Sequence, residues 1–538
     1  MTDAADRLFV NGEIHTLATP DETHEAVAVR DGRVVRLGRS YEVRFLEGVD
    51  TDVIDLDGRV LLPGFVDAHT HLTTVGRSLV HADLSVAGSP DEAVELLEAR
   101  AGEVGEPNPD SDSPADSDSP ADSDSSIDWV LGYGYDESGW DENRYLTRED
   151  LDRVSTERPV AAFREDMHVA AVNGVALDRF ADELASAPGE TVSTDDAGEP
   201  TGVLFESAID PIYEAVEPGP TETRALVAAA LDDCAAKGIT GFHDMVRNSS
   251  APRVYRDLDD AGELTARVRI NYWSDHLEAL REVGLSTNAG SEMVETGAVK
   301  SYTDGSFGGR TARLSEPYAD DPDETGQWVV APDELNETVA DATAAGHQFT
   351  AHAIGDEAVD AVLDAYEEAS ETDPGEARHR IEHVELADDD AIERLAETGA
   401  VASVQPNFLK WAGDDGLYEA RLGAERTAAT NRYRDMLDAG VRLAFGSDGM
   451  PMDPLLGVHH AVNAPAEAQR LTVTEALRAY TRGAAYAGFD EDRLGTVEPG
   501  KRADFVVLDS SPWNEPASIR EIDAAMTVVD GDVVYDGR

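Results

Sequence analysis

Between about residues 63 and 450 the chain repeats one rhythm, in which a helical pattern leads into a short apolar run that ends in polar residues. The eight runs are VLLPGFVDAHTH (60–71), GITGFHDM (238–245), ARVRINYW (266–273), GAVKSYTDGS (297–306), QFTAHAIGD (348–356), RIEHVE (380–385), AVASVQPN (400–407) and VRLAFGSDG (441–449). Helical patterns such as TRALVAAALDDCAAKG, DELNETVADATAAG and DDDAIERLAETG separate most neighbours. Short buried strands alternating with helices predict an α/β fold with a parallel sheet, and eight of them predict a (β/α)8 TIM barrel. In such a barrel the chemistry sits where strands run out into the following loops.

Both ends of the chain have a different texture, of short β-rich runs broken by turn dipeptides. Asn11-Gly12, Asp31-Gly32 and Asp57-Gly58 near the start, and Asp530-Gly531 near the end, each read as a hairpin turn. Residues 1–62 and 497–538 are therefore expected to build one small β-sandwich domain around the barrel domain of residues 63–496. An insertion at about 84–220 separates the first and second barrel strands. Within it, residues 105–127 carry SDSPAD twice in tandem and lack large apolar side chains. Such a segment cannot offset its ordering entropy and reads as a disordered acidic insert.

Charge narrows the partners. With 43 Lys and Arg against 110 Asp and Glu, the net charge is −67, so nucleic acid and anionic membrane are excluded as partners by repulsion. Only Lys237, Lys300, Lys410 and Lys501 are lysines. The acid excess with so few lysines reads as halophilic adaptation, since at ~1 M salt the Debye length falls to about 3 Å and self-repulsion is screened. A lone Cys234 permits no intrachain disulfide, and no run approaches the ~18 apolar residues of a membrane span. A cytoplasmic enzyme is expected, with a homodimer as the default assembly.

Metal-ligand side chains fall at the ends of several barrel runs. His69 and His71 are two apart on an extended segment, so both imidazoles project to one side. His352, His383 and Asp448 close the fifth, sixth and eighth runs. Four His and one Asp suit one or two divalent ions, zinc first among them. Lys300 lies among apolar neighbours in a chain that has discarded nearly all its lysines. Out of water it loses its proton readily, and the neutral amine can capture carbon dioxide as a carbamate; a salt bridge to Asp304 is the alternative.

The ordered set PGFVDAHTH, VKSYTDGS, AHAIGDEAVD, RHRIEHVE, SVQPN, FGSDGMP and EPGKRADFVVLD resembles the metal-dependent amidohydrolase superfamily, and within it the amidohydrolase 3 group, which includes N-substituted formamide deformylase-like proteins. The resemblance runs from about Val53 to Tyr535. It implies that His69 and His71 bind the more buried metal, that carbamylated Lys300 bridges, and that His352 and His383 bind the more exposed metal. Asp448 would bind metal and carry the proton of an attacking, metal-activated hydroxide. The implied reaction is hydrolysis of a non-peptide carbon–nitrogen bond in a small amide, such as an N-formyl or N-acyl amine.

His168 and Glu206 resemble substrate-side positions of the group. His243, at the end of the second run, is a candidate substrate contact, while Asp304, Arg380 and Gln405 are candidates to orient the ligands. Two other readings stay open. One is a mononuclear deaminase of the same superfamily using His69, His71, one later His and Asp448; the other is a non-catalytic barrel protein.

Overall fold

The structure, a computed structural model, describes residues 4–103, 129–137, 140–165, 169–186, 191–195, 197–370, 377–413 and 416–538. The acidic 105–127 segment and His168 lie outside them. The chain divides into two compact units. The first comprises residues 1–72, 231–248 and 255–538, and the second residues 73–230 and 249–254.

The first unit contains the expected barrel. Its parallel strands are β1 (Phe65–Thr70), β2 (Ile239–Val246), β3 (Arg267–Trp273), β4 (Val294–Tyr302), β5 (Phe349–Ala353), β6 (Arg380–His383), β7 (Val401–Val404) and β8 (Arg442–Phe445), each paired with the next. All eight coincide with the apolar runs. Helices follow where the 3.6-residue pattern places them, as at Pro332–Ala344 and Asp389–Thr398. The second of these is bounded by its sequence: the Asp388 side chain accepts from Ala391 N at the start, and Gly399 takes a left-handed φ of 70° at the end.

The ring closes at its rim rather than along a ladder. The backbone N–H groups of Ser447 and Asp448, just past β8, donate to the His69 carbonyl at 3.2 and 2.8 Å. Gly446 permits this approach, since a Cβ there would lie 2.5 Å from His69 N.

The terminal segments form two sheets over one core. A four-stranded sheet uses residues between Arg7 and Asp55, and a six-stranded sheet joins Val60–Pro63 antiparallel to Phe505–Leu508. Phe9, Val27 and Ile54 from the first meet Leu61, Phe505 and Met526 from the second. Arg267 of β3 ties this region to the barrel through Asp504 at 2.7 Å and Asp530 at 2.6 Å.

Two of the four turn dipeptides do what the sequence predicts. Asp31-Gly32 and Asp530-Gly531 join paired antiparallel strands, with positive φ at both residues. Asn11-Gly12 and Asp57-Gly58 are a correction: each carries the chain from one sheet to the other, and Gly58 N donates to Asn11 O at 2.8 Å. The left-handed conformation was legible, but the pairing partner was not.

The second unit is more ordered than a bare insertion. Its strands Ala82–Asp83, Val130–Tyr135, Val160–Arg164, Val169–Val172, Val192–Thr194 and Pro200–Phe205 form one six-stranded sheet. Apolar residues pack on both faces, with Trp129, Leu131 and Phe163 in one cluster and Leu97, Val130 and Val160 in the other.

Gly446→Ala is expected to lower stability by about 1–3 kcal/mol, as overpacking does, because it drives β1 and β8 apart. Denaturation midpoints measured in molar potassium chloride check this. Gly102→Ala, on a helix with open space around the new methyl group, should leave the midpoint unchanged or slightly raised.

Candidate metal centre

The end of β1 lies beside the end of β8, so His69, His71 and Asp448 meet. Asp448 Oδ1 stands 3.4 Å from His69 Nε2 and 3.3 Å from His71 Nε2. The His383 ring is 5.0 Å from that of His69 and 4.5 Å from that of His352. One ligand atom each from His69, His383 and Asp448 fall within 4.8 Å of one another.

The hydrogen bonds of the outer imidazole nitrogens decide what the inner ones can do. His69 Nδ1 faces Glu382 Oε2 at 2.6 Å, His71 Nδ1 faces the Met245 carbonyl at 3.2 Å, and His352 Nε2 faces the Gly305 carbonyl at 2.9 Å. Each acceptor takes an N–H, so the opposite nitrogen of each ring keeps a bare lone pair. For His69 and His71 that lone pair points at a carboxylate oxygen. Two lone pairs and an anionic oxygen converging this closely repel one another unless a cation lies among them. The donor set therefore fits a divalent metal ion.

Burial reinforces the fit. It drives the imidazoles of His69 and His383 below their ordinary range and that of His352 down to about 3, which keeps them in the neutral, metal-binding form. His71 differs: burial lowers it, but Asp448 outweighs that and raises it. Burial also opposes the charge on Asp448, yet the facing imidazoles of His69 and His71 hold its carboxyl below the usual range.

Lys300, near the end of β4, is 1% exposed, and its Nζ has no hydrogen-bond partner among the described residues. Burial pulls its pKa down to about 8. The salt bridge to Asp304 does not form. Asp304 is saturated instead by the backbone amides of Arg313, Ile354 and Gly355 at 2.8 to 3.1 Å, which pins the loops after β4 and β5 together. Burial lifts its carboxyl to about 7.

The second-tier residues separate. Arg380 reaches Glu382 at 2.8 Å, Ser403 Oγ at 2.9 Å and the Ala68 carbonyl at 2.5 Å, so it steadies the carboxylate that holds His69. His243 is placed differently from expectation: β2 continues three residues past it, and its Nδ1 accepts from Arg380 at 2.8 Å inside the barrel. Gln405 is buried and donates weakly to the Ser403 carbonyl at 3.4 Å. Glu206, in the second unit, is exposed at the start of a short turn with φ of 48°.

Sequence reasoning missed three residues. Glu382 was passed over beside His383, although two polar residues in succession on a buried strand are a signal. Asp67 Oδ1 accepts from both His69 N and Ser447 N at 3.0 Å. Glu385, pushed up to about 8 by burial, accepts a hydrogen bond from Tyr418. The backbone is strained here too, with φ of 77° at His383 and 48° at the β-branched Val384.

The chain matches the amidohydrolase family over residues 52–535. It is 33% identical to the Bacillus subtilis protein YtcJ, provisionally named an amidohydrolase, over 98% of this chain and 99% of that one. It is 26% identical to the N-substituted formamide deformylase of Arthrobacter pascens, over 100% of this chain and 99% of the relative. An uncharacterized metal-dependent hydrolase from Pyrococcus furiosus superposes with a TM-score of 0.77 at 30% identity, covering 94% of this chain and 99% of the other. A rim of imidazole lone pairs, a facing carboxylate and a match spanning nearly the whole sequence lead to one conclusion: the chain belongs to the metal-dependent amidohydrolase family.

Proposed function

We propose that the protein hydrolyses a non-peptide carbon–nitrogen bond in a small linear or N-substituted amide, such as an N-formyl or N-acyl amine. The convergence of His69, His71 and Asp448 with their outer nitrogens already committed carries this reading. The full-length likeness to an N-substituted formamide deformylase supports the substrate class.

His69, His71, His352, His383 and Asp448 would hold one or two divalent ions, with zinc the first candidate, and carbamylated Lys300 would complete the set. When bound, such an ion supplies Lewis acidity toward a carbonyl oxygen and acidifies water. The protein's own groups do the rest. Asp448, held ionised, can take a proton from an attacking water and return it to the departing amine. Lys300, with its pKa lowered to about 8 and no hydrogen-bond partner among the described residues, gives up its proton far more readily than an exposed lysine; the neutral amine so formed adds carbon dioxide with formation of an N–C bond and release of one proton, leaving a carboxylate. Phe408 lies parallel to the His383 ring at 6.0 Å, with Trp411 4.9 Å beyond, and these rings offer an apolar wall to the amide substituent.

A mononuclear deaminase is the second reading, favoured by the one compact group of such ligands among the described residues, His69, His383 and Asp448. Elemental analysis of protein purified without chelator in molar potassium chloride separates the two. About two metals per chain, with hydrolysis of formamides or N-acyl amines, is the expected result; about one metal, with ammonia release from amino-substituted rings, would replace the proposal by the deaminase.

Lys300→Ala should lose one metal equivalent and nearly all turnover. Unchanged metal content and rate would eliminate the carbamate. Glu382→Gln should weaken metal retention by about 10- to 100-fold, as loss of an orienting partner does, read as the chelator concentration needed to strip the protein.

A further inference from the structure

The first unit holds a second chemically distinctive site at the opposite end of β8. A cavity of about 860 Å³ is lined by Val441, Arg442 and Leu443 where that strand begins. Asp448 lies three residues beyond the strand's end, at the other face of the barrel.

Five cationic side chains line this cavity, Arg434, Arg442, Arg478, Arg482 and Lys501, in a chain where acids outnumber bases 110 to 43. Two are already neutralised or tied down: Arg434 pairs with Glu475 at 2.9 Å and Asp438 at 2.8 Å, and Lys501 donates to the Glu491 and Leu494 carbonyls at 2.7 and 3.0 Å. The other three have no carboxylate partner among the described residues. Arg478 donates only to the carbonyls of Leu17, at 3.0 Å, and Ala18. Arg482 donates to Thr19 Oγ1 at 2.7 Å. Arg442 stacks on Tyr486, 4.1 Å from its ring centroid, and Arg378 also stacks on that ring at 4.1 Å. Stacking fixes the Arg442 guanidinium without cancelling its charge.

Of the lining carboxylates, Glu475 is paired with Arg434, Glu491 with Arg378 at 2.6 Å, and Glu498 faces Lys501 at 3.6 Å. Only Asp492 lacks an ion pair among the described residues. Three guanidiniums without a carboxylate partner thus face one unpaired carboxylate, and because Arg434 is shared by Glu475 and Asp438 the groups named here sum to one positive charge. The backbone is shaped to present them. Residues Ala479–Gly483 form a π-helical turn that follows Arg478 and contains Arg482, and Gly483 lets the helix press on β8: a Cβ there would lie 2.0 Å from the Leu443 carbonyl.

We propose that this cavity binds a phosphate monoester. A phosphate group carries close to two negative charges at pH 7 and three acceptor oxygens, which the planar donor forks of Arg442, Arg478 and Arg482 are suited to meet. The volume is in the range of small-molecule sites and leaves room for an organic group attached to the phosphate.

The test is calorimetric titration of the metal-loaded protein in molar potassium chloride with inorganic phosphate and with phenyl phosphate. The expected result is binding of both, tighter for the ester, and weakening of both by about tenfold or more in Arg442→Gln/Arg482→Gln. Metal content and the circular dichroism spectrum of that variant should match the parent, while Arg44→Gln, which removes an exposed guanidinium paired with Glu47 outside the cavity lining, should leave the affinities within about twofold. Tighter binding of inorganic phosphate than of the ester would reassign the cavity to the free ion and overturn the monoester. Equal affinity in parent and double variant would place the phosphate elsewhere, for instance at the metal ions, and no binding up to about 10 mM would leave the cavity without the proposed ligand; either result overturns the proposal.

Discussion

The junction between β1 and β8 is the constraint on which the site depends. Asp67 Oδ1 accepts two backbone N–H groups, one from its own strand at His69 and one from Ser447 across the seam. The His69 carbonyl accepts from Asp448 N and shares the Ser447 N–H from the far side. Three hydrogen bonds thus fasten the first strand to the end of the last, in a place where no cation among the described residues compensates the Asp67 carboxyl and burial raises it to about 7. Burying that group is costly unless hydrogen bonds hold it. What it secures is the position of two imidazoles relative to one carboxylate. Asp448 itself sits at a φ of 56°, a conformation that Asp tolerates better than most residues.

A second polar chain runs through the barrel below that seam. Arg380 links Ala68 of β1, His243 of β2 and Ser403 of β7 to Glu382, and Glu382 holds His69. Burial opposes the Glu382 charge, but the Arg380 guanidinium outweighs it and keeps the carboxyl well below its ordinary range. The pair is locally neutral, so it can sit in the barrel interior and still present a strong acceptor to His69 Nδ1. Surface acidity and interior chemistry are separate matters here: a net charge of −67 says how the protein meets its solvent, whereas the site is set by a few compensated charges.

The barrel was legible because each of its strands is a short apolar run with a polar end, bounded by helices whose periodicity differs. That His69, His71, His352, His383 and Asp448 would lie near one another was legible for the same reason, since side chains at successive strand ends share one rim. The six-stranded sheet of the second unit was harder to read, because strands such as VAAFR (Val160–Arg164) and VAAV (Val169–Val172) are rich in alanine, which carries little strand preference. Asp67 and Arg380 look like ordinary polar interruptions until the seam and the interior are seen together. Asn11-Gly12 and Asp57-Gly58 announced the turn conformation, but the sheet each strand joins is a long-range choice that a dipeptide does not encode.

Charge balance links the state of Lys300 to the number of ions on the proposed reading. Arg380 and Glu382 cancel, and the four imidazoles are neutral ligands, so Asp448 and Lys300 set the local charge. With Lys300 protonated the pair sums to zero, which offers a dication no net attraction. Deprotonation leaves one negative charge, enough to favour a single divalent ion at the His69, His383 and Asp448 group. A second ion adds two more positive charges in a buried setting where such repulsion is weakly screened. Converting the amine to a carbamate adds a further negative charge and two oxygen donors on the same side chain. On that reading the lowered pKa that burial imposes on Lys300 would couple metal stoichiometry to carbon dioxide: the amine must first be neutral to react, and once it had reacted the site would carry the charge that two ions require.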